Sequence, residues 1–246
     1  MKKALVMLLL ILSANTLLAQ KENDSTHQKK NIVKLNLFAL GLKNISLQYE
    51  RVVSRKVSVG LGIRYMPDGS LPFKTTFKNL IDDPETKNQV DNITLGNFAI
   101  TPEVRFYTGK KGAPRGFYIA PFVRIARYTT KLPFTYDDGG VKKSIDLSGS
   151  LSTVTGGILF GKQWKLGKSI SLDWWLFGPQ YGTSNGKIDG KKTLTPSEQS
   201  SLRNELANLD IPLTKITYTV DGNGAVVNFK GPWAGLRSGL CIGFNF

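Results

Sequence analysis

Few residues in this chain are of the types that carry out catalytic chemistry. His27 is the only histidine and lies in a polar segment, and Cys241 is the only cysteine. Enzymes that use a histidine for acid–base or nucleophilic catalysis need that side chain held beside its partners. One histidine and one cysteine so far apart also cannot form a zinc site. The sequence therefore predicts no catalytic, metal-binding or cofactor-binding residues and no enzymatic activity.

The other candidates for a site are charged residues at alternate positions of predicted strands. Glu50, Glu103, Arg105 and Asp173 fall at similar depths, counted from the predicted turns. We expect them to form a polar network that fills the interior of a closed sheet, because about eight strands enclose only enough space for side chains. A narrow gated conduit is the alternative. Three further inward charges lie nearer the outer end: Arg64, Arg124 and Arg237.

These charges depend on strands that are predicted from an alternation of apolar and polar residues. In the clearest segment Val57, Val59, Leu61, Ile63 and Tyr65 alternate with small or polar residues. A period of two is typical of a strand with one apolar face, and in a membrane barrel that face contacts lipid. The other predicted strands lie at residues 33–37, 45–50, 100–107, 117–128, 151–162, from 169 onward, and 236–246.

The lengths of the connections predict an orientation. Short turns follow the second, fourth and sixth predicted strands, and long polar connections follow the third, fifth and seventh. The short turns are at residues 54–56, 109–115 and 163–168, and the long connections are at residues 67–97, 131–148 and 182–233. Outer-membrane barrels have short periplasmic turns and long extracellular loops, so we expect both termini to be periplasmic. The short first hairpin, at residues 41–43, is the one departure.

The last long connection is predicted to have structure of its own. Thr195-Pro196-Ser197-Glu198 is a capping box with proline at the first helical position, which predicts a short helix at residues 196–209. Asp221-Gly222-Asn223-Gly224, between residues 215–220 and 225–229, predicts a hairpin that projects above the membrane. This region is either a partner-binding or lid element or a structured loop that only protects the barrel mouth.

The beginning of the sequence predicts export. Lys2 and Lys3 precede an apolar run at residues 4–12, which is shorter than the ~20 residues that a membrane-spanning helix needs. An uncleaved membrane helix is the alternative interpretation. The predicted divisions are a signal peptide at residues 1–19, a flexible periplasmic lead-in at residues 20–30 and an outer-membrane β-barrel at residues 31–246.

Three short segments resemble a known group of proteins: Gln48-Tyr49-Glu50-Arg51, Gly116 to Phe122, and Gly239 to Phe246. The chain is similar to the small outer-membrane β-barrel families of Gram-negative bacteria whose function is unknown, and the barrel that this resemblance implies is OmpA/OmpX-like with eight strands. The expected fold is all-β, an eight-stranded antiparallel up-and-down transmembrane β-barrel. The capping box adds a short helix in the last extracellular loop. The resemblance implies a place in the cell outer membrane and transfers no active site.

Charge and the last strand predict the surroundings of the protein. Phe244 and Phe246 resemble the C-terminal signal of outer-membrane proteins, which makes the barrel-assembly machinery a partner during biogenesis. The formal net charge is +15, but exported strands with a lipid-facing side argue against nucleic acid. Outer-membrane lipid and lipopolysaccharide phosphates explain this charge better, because many lysines lie in the predicted outer loops. These are Lys74, Lys78, Lys142, Lys143, Lys191 and Lys192.

These features favour a non-enzymatic outer-membrane barrel that acts as a structural or interaction protein. It would present its extracellular loops to an outside partner of unknown identity. Two alternatives remain open from the sequence: a narrow channel or transporter for a small solute or lipid, and a soluble periplasmic lipocalin-like binder.

Overall fold

The computed structural model describes residues 29–209 and 211–246. The predicted signal peptide, His27 and residues 20–28 of the lead-in lie outside the described residues. The described strands are β1 (Asn31–Asn36), β2 (Ile45–Val52), β3 (Val57–Ser70), β4 (Thr94–Tyr107), β5 (Gly116–Asp138), β6 (Val141–Lys165), β7 (Ile170–Lys191), β8 (Lys215–Asp221) and β9 (Gly224–Asn245). The described helices are α1 (Leu37–Gly41), α2 (Lys74–Asn79), α3 (Pro84–Asn92) and α4 (Pro196–Ala207). Within these ranges, every helix is too short or too polar to cross a lipid bilayer.

The strands form an antiparallel sheet that closes into a ring. Each of β1 to β7 pairs with the next strand in sequence, except that β7 pairs with β9. The ring closes because β1 pairs with β9, from Ile32 opposite Asn245 to Asn36 opposite Cys241. β8 stands outside this ring of eight and pairs only with β9. The predicted all-β antiparallel fold is confirmed.

The two faces of the ring differ in polarity. Along β2, Ser46, Gln48 and Glu50 are buried inside the ring, whereas Leu47 and Tyr49 are exposed outside. Successive side chains of a strand point to opposite faces, so the alternation in the sequence becomes a polar interior and an apolar exterior. This arrangement is the reverse of that in a water-soluble domain, which buries its apolar face.

The predicted long loop at residues 131–148 is wrong. β5 and β6 stay paired through this region up to Asp138 opposite Val141. Gly139 and Gly140 make the two-residue turn, with φ values of +66° and +85°. Such turns need positive φ at both central positions, which glycine adopts without a steric cost.

Strands also shorten the other two long connections. β3 continues to Ser70 and β4 begins at Thr94, with α2 and α3 between them. β7 continues to Lys191 and β9 begins at Gly224, so α4 and β8 fill the interval. The helix predicted at residues 196–209 is confirmed, with the capping box formed and Asn208 as its C-cap. The predicted hairpin is also confirmed, as β8 and the start of β9.

The first hairpin differs from the expectation. The first strand was predicted to reach residue 37, but β1 ends at Asn36, and Leu37 begins the short helix α1. The Asn36 side chain accepts a hydrogen bond from the Ala39 N–H at 3.2 Å. An asparagine that caps a helix in this way competes with continuation of the strand.

Most of the apolar residues buried in the described chain belong to two clusters. One lies within the ring and includes Tyr107, Tyr118, Trp175 and Cys241. The other lies beyond it, where α4 packs against the far parts of the long strands. We call residues 132–147 and 188–229 the projecting module. The second cluster is its core and contains Tyr136, Ile145, Leu147, Leu194, Leu202, Leu206, Val220, Ala225 and Val227.

Candidate functional site

A cluster of buried charges occupies the interior of the ring near its short-turn end. The four residues predicted for a polar network are brought together here: Glu50 on β2, Glu103 and Arg105 on β4, and Asp173 on β7. Register places Glu50 and Glu103 at one level, because Gly60 of β3 lies opposite both of them. All four side chains are inaccessible to solvent or nearly so.

Arg105 is at the centre of this cluster. Its Nη1 lies 2.6 Å from Asp173 Oδ2 and 3.3 Å from Glu50 Oε2, and its Nε lies 2.5 Å from Glu103 Oε1. Its Nη2 donates to Gln48 Oε1 at 2.7 Å. The guanidinium also lies over the ring of Tyr118, 4.4 Å from the centroid. One arginine therefore connects all three acidic side chains.

Lys34 of β1 is a second central cation, which sequence reasoning did not select. Its Nζ lies 2.6 Å from Asp173 Oδ2 and also pairs with Glu50 Oε2. It donates to Gln163 Oε1 at 2.9 Å. The available signal was its inward position in the first alternating segment, between Val33 and Leu35.

Arg237 of β9 joins the same cluster from the side that faces the projecting module. It was predicted to lie with the outer charges, but its Nη1 lies 2.5 Å from Glu103 Oε2. Its guanidinium stacks over the rings of Trp175 and Phe122, at 4.1 and 5.1 Å from the centroids. The prediction that placed Arg237 only with Arg64 and Arg124 is therefore incomplete. The long side chain of Arg237 reaches from β9 to the level of the carboxylates.

Uncharged side chains complete the hydrogen bonding. The Tyr107 hydroxyl lies 2.7 Å from Glu50 Oε1 and 2.9 Å from Gln163 Oε1. The Tyr118 hydroxyl donates to Asp173 Oδ1 at 2.7 Å, and Trp175 Nε1 donates to Asp173 Oδ2 at 3.0 Å. Ser58 donates to Glu50 Oε1 at 2.5 Å. The sequence did not single these residues out, because tyrosine, serine and glutamine at inward positions are also common fillers.

The charges of the cluster balance. Three cations, Lys34, Arg105 and Arg237, face three carboxylates, those of Glu50, Glu103 and Asp173, so the formal sum is 3 − 3 = 0. Burying any one of these charges alone would cost on the order of several kcal/mol. This cost is recovered only when oppositely charged partners and hydrogen bonds surround the charge. We name these six residues the charge cluster.

The carboxylates of the charge cluster are occupied by neighbouring side chains. Every carboxylate already accepts hydrogen bonds from at least two donors. No group of three or more potential metal ligands of the histidine, cysteine, aspartate and glutamate types occurs in the described part of the chain. The members of the charge cluster come from β1, β2, β4, β7 and β9, so the cluster connects side chains of different strands across the interior.

Arg64 and Arg124, the other predicted outer charges, lie on the side of the cluster that faces the projecting module. Together with Arg237 they line a cavity of about 250 Å³. At the opposite end of the ring, Phe244 and Phe246 are exposed on the outer face, with ring centroids 6.4 Å apart. The backbone of Phe246 pairs with Asn31, which brings the two ends of the described ring together.

Comparison with known proteins gives a family match. A family described as "Protein of unknown function (DUF3575)" matches residues 5–179. No curated protein matches the chain. The matched segment includes five of the six members of the charge cluster, whereas Arg237 and α4 lie beyond it.

Proposed function

The chain belongs to the DUF3575 family of proteins of unknown function, and we propose that it is an outer-membrane β-barrel that displays its projecting module outside the cell. In this proposal the eight-stranded ring spans the membrane and anchors the protein. The charge cluster closes the interior, and the function is structural or interactive rather than catalytic.

The observation that carries this proposal is a reversal of polarity along single strands. On β6, the outward side chains Val154 and Ile158 within the ring are apolar and exposed. Farther along the same face, Lys142, Ser144 and Asp146 are polar. The inward face changes in the opposite sense, from Thr153 and Thr155 to the buried Ile145 and Leu147.

This reversal is the pattern of a strand that passes from lipid into water. Lipid requires apolar side chains outside a barrel, whereas water requires them inside. β5 changes in the same way, since Ile119, Val123 and Ile125 are exposed outside the ring, whereas Tyr136 is buried in the core of the module. The proposed membrane boundary therefore crosses β5 near residues 129–132.

An apolar belt supports membrane insertion of the ring. Leu47, Ile63, Ile100, Ile125 and Val154 are successive register partners across five strands. All five point outward and are between 38 and 56 % exposed. Monomeric soluble proteins rarely expose a contiguous apolar surface of this extent.

Aromatic residues border this belt. On β4, the exposed Phe98 and Phe106 are eight residues apart, or roughly 27 Å along a strand at about 3.4 Å per residue. Phe98 is paired with the exposed Tyr65 of β3. Two aromatic girdles around an apolar band about 25 Å tall are typical of outer-membrane barrels.

Closure of the interior favours an anchor over a wide channel. Each of the eight ring strands contributes a side chain to the network around the charge cluster. In strand order these side chains are Lys34, Glu50, Ser58, Arg105, Tyr118, Gln163, Asp173 and Arg237. An interior crossed from every strand leaves no continuous aqueous path of solute size.

The projecting module has the construction of a folded unit that can be recognised by a partner. Glu198 at the start of α4 accepts a hydrogen bond from the Thr195 N–H at 2.9 Å and lies 3.2 Å from Lys143 Nζ. Leu202 and Leu206 of α4 are fully buried against the strands. Ordered surface of this kind costs little conformational entropy when a partner binds.

Thiol labelling of intact cells tests the proposal. Cys241 is buried, so labelling of an added cysteine can be measured with little background from the native thiol. We expect Asn223→Cys, at the tip of the module, to react with a membrane-impermeant maleimide on intact cells. Ser54→Cys, in the turn at the opposite end of the ring, should react only after the outer membrane is permeabilised. Labelling of both sites, or of neither, in intact cells would contradict the proposed orientation.

A further inference from the structure

The cavity between the charge cluster and the projecting module has the features of a ligand site. It has a volume of about 250 Å³ and lies inside the ring. We propose that it binds a small soluble oxyanion, a carboxylate or phosphate, between Arg64, Arg124 and Arg237. This inference concerns the folded ring itself and does not depend on where the module is displayed.

The cavity has an excess of positive charge. The residues that line the cavity include three arginines and no aspartate or glutamate. Arg237 is paired with Glu103 below the cavity. Arg64 and Arg124 form no ion pair with a carboxylate in the described part of the chain. The charge cluster is balanced, so these two cations remain uncompensated within the ring.

A buried hydrogen-bond donor in the cavity has no partner among the described residues. Arg124 is only 8 % exposed, and its Nε makes no hydrogen bond within the described residues. Its guanidinium interacts with Tyr128, another residue of the cavity wall. A buried cationic donor that lacks a partner is costly, and an anion in the cavity would remove that cost.

The guanidinium groups are also held in place. Arg64 Nε donates to Asn44 Oδ1 at 2.8 Å, and Arg237 is fixed by Glu103 and by stacking on Trp175. Pre-positioned guanidinium groups suit the planar, two-oxygen geometry of carboxylates and phosphates. Arg64 and Arg237 therefore resemble the fixed sides of a site that Arg124 completes.

The other walls limit the size and character of the ligand. Ser46, Thr101 and Gln180 offer neutral hydrogen-bonding groups. Tyr128 and Trp233 form an aromatic wall with ring centroids 5.3 Å apart. The cavity holds the volume of about eight water molecules at roughly 30 Å³ each. A small organic acid or a phosphate fits this space, whereas a polymer does not.

Tryptophan fluorescence tests the proposal, because Trp175 and Trp233 both line the cavity. The full-length protein, folded in zwitterionic detergent micelles, is titrated with inorganic phosphate and separately with succinate, at constant ionic strength maintained with chloride. We expect a saturable change with at least one of the two anions. Arg124→Gln should weaken that binding at least tenfold. Arg124→Lys should weaken it less, since lysine keeps the positive charge and loses only the planar guanidinium group that can bind two oxygens.

Arg127→Gln is the matched control. Arg127 is on the same strand but exposed on the outer face, so we expect its affinity to stay within twofold of the unsubstituted protein. Heat-dependent gel mobility shows that each variant is folded. The proposal is overturned if neither anion gives a saturable signal, or if Arg124→Gln binds as tightly as Arg127→Gln. It is also overturned if the signal appears only when anionic lipid is added to the micelles.

Discussion

Arg105 Nη1 lies 2.6 Å from Asp173 Oδ2, although the two residues are 68 positions apart in the chain and three strands apart around the ring. This pair spans the interior rather than linking neighbouring strands. A contact of this kind requires the sheet to curl until β4 and β7 face each other across the interior. We therefore regard the charge cluster as the element that couples ring closure to the packing of the interior.

Removing the central cation should strongly destabilise the ring. Arg105→Ala leaves three buried carboxylates with too few partners, which typically costs about 3 kcal/mol or more. We expect a lower urea midpoint of unfolding in micelles. On gels, the variant should change from the mobility of the folded protein to that of the unfolded protein at a lower temperature. Glu103→Gln should act in the same direction with a smaller effect. Arg51→Ala, at an exposed position of β2, is the control and should change stability by less than about 1 kcal/mol. Unchanged folding of both cluster variants would remove support for a structural network.

Arg237 and Glu103 should be energetically coupled. Their side chains are 2.5 Å apart and both are buried. In a double-mutant cycle with Arg237→Gln and Glu103→Gln, we expect a coupling energy of at least about 1 kcal/mol, within the usual range for buried contacts. The cycle is measured from unfolding free energies in one detergent. Additive effects of the two substitutions would show that this contact contributes nothing to stability.

A charge placed on the apolar belt should oppose membrane insertion. Val154 and Asp146 lie on the same strand and the same outward face, one in the belt and one in the projecting module. Val154→Lys should destabilise the inserted protein by about 2–4 kcal/mol, the cost of lysine near the middle of a bilayer. Asp146→Lys should have little effect. The measurement is the amount of folded protein recovered in the outer membrane, and equal recovery of the two variants would argue against the proposed lipid-facing surface.

Acid should loosen α4 through Glu198. The backbone N–H of Thr195 and the ammonium of Lys143 lower the pKa of this carboxyl from 4.5 to about 2. Because its pKa is lower in the folded state, the ionised carboxylate stabilises the module above pH 4.5. This contribution is lost as the pH falls from 4.5 through 2. Glu198→Gln should therefore reduce hydrogen-exchange protection of α4 at pH 7 and make little difference near pH 2. A Glu205→Gln variant on the same helix is the control, and a pH-independent effect of Glu198→Gln would exclude this cause.

The alternation in the sequence predicted the ring strands because each one separates apolar outward positions from interior positions. It predicted Glu50, Glu103, Arg105 and Asp173 for the same reason. Lys34 was missed as a member of the cluster, although its inward position was visible. The sequence does not show which inward side chains from distant strands meet, since this depends on the stagger of the closed ring.

The far halves of β5 and β6 were mistaken for a loop because the polarity of their faces reverses there. Residues 132–136 place Leu132, Phe134 and Tyr136 on the inward face, which carries many polar or small residues within the ring. Pro133 lies between them and weakens a strand prediction further. The apolar partner of this face is α4, more than fifty residues away in sequence. A local pattern therefore could not reveal that the strands continue.

The central claim is that the ring is a closed barrel inserted in the outer membrane. The most direct test is membrane fractionation of the full-length protein, with gel mobility compared before and after boiling. We expect recovery in the outer-membrane fraction and a heat-dependent shift in mobility, because closed barrels resist unfolding by detergent until heated. A soluble periplasmic protein that shows no shift would contradict the account and favour a soluble binder instead.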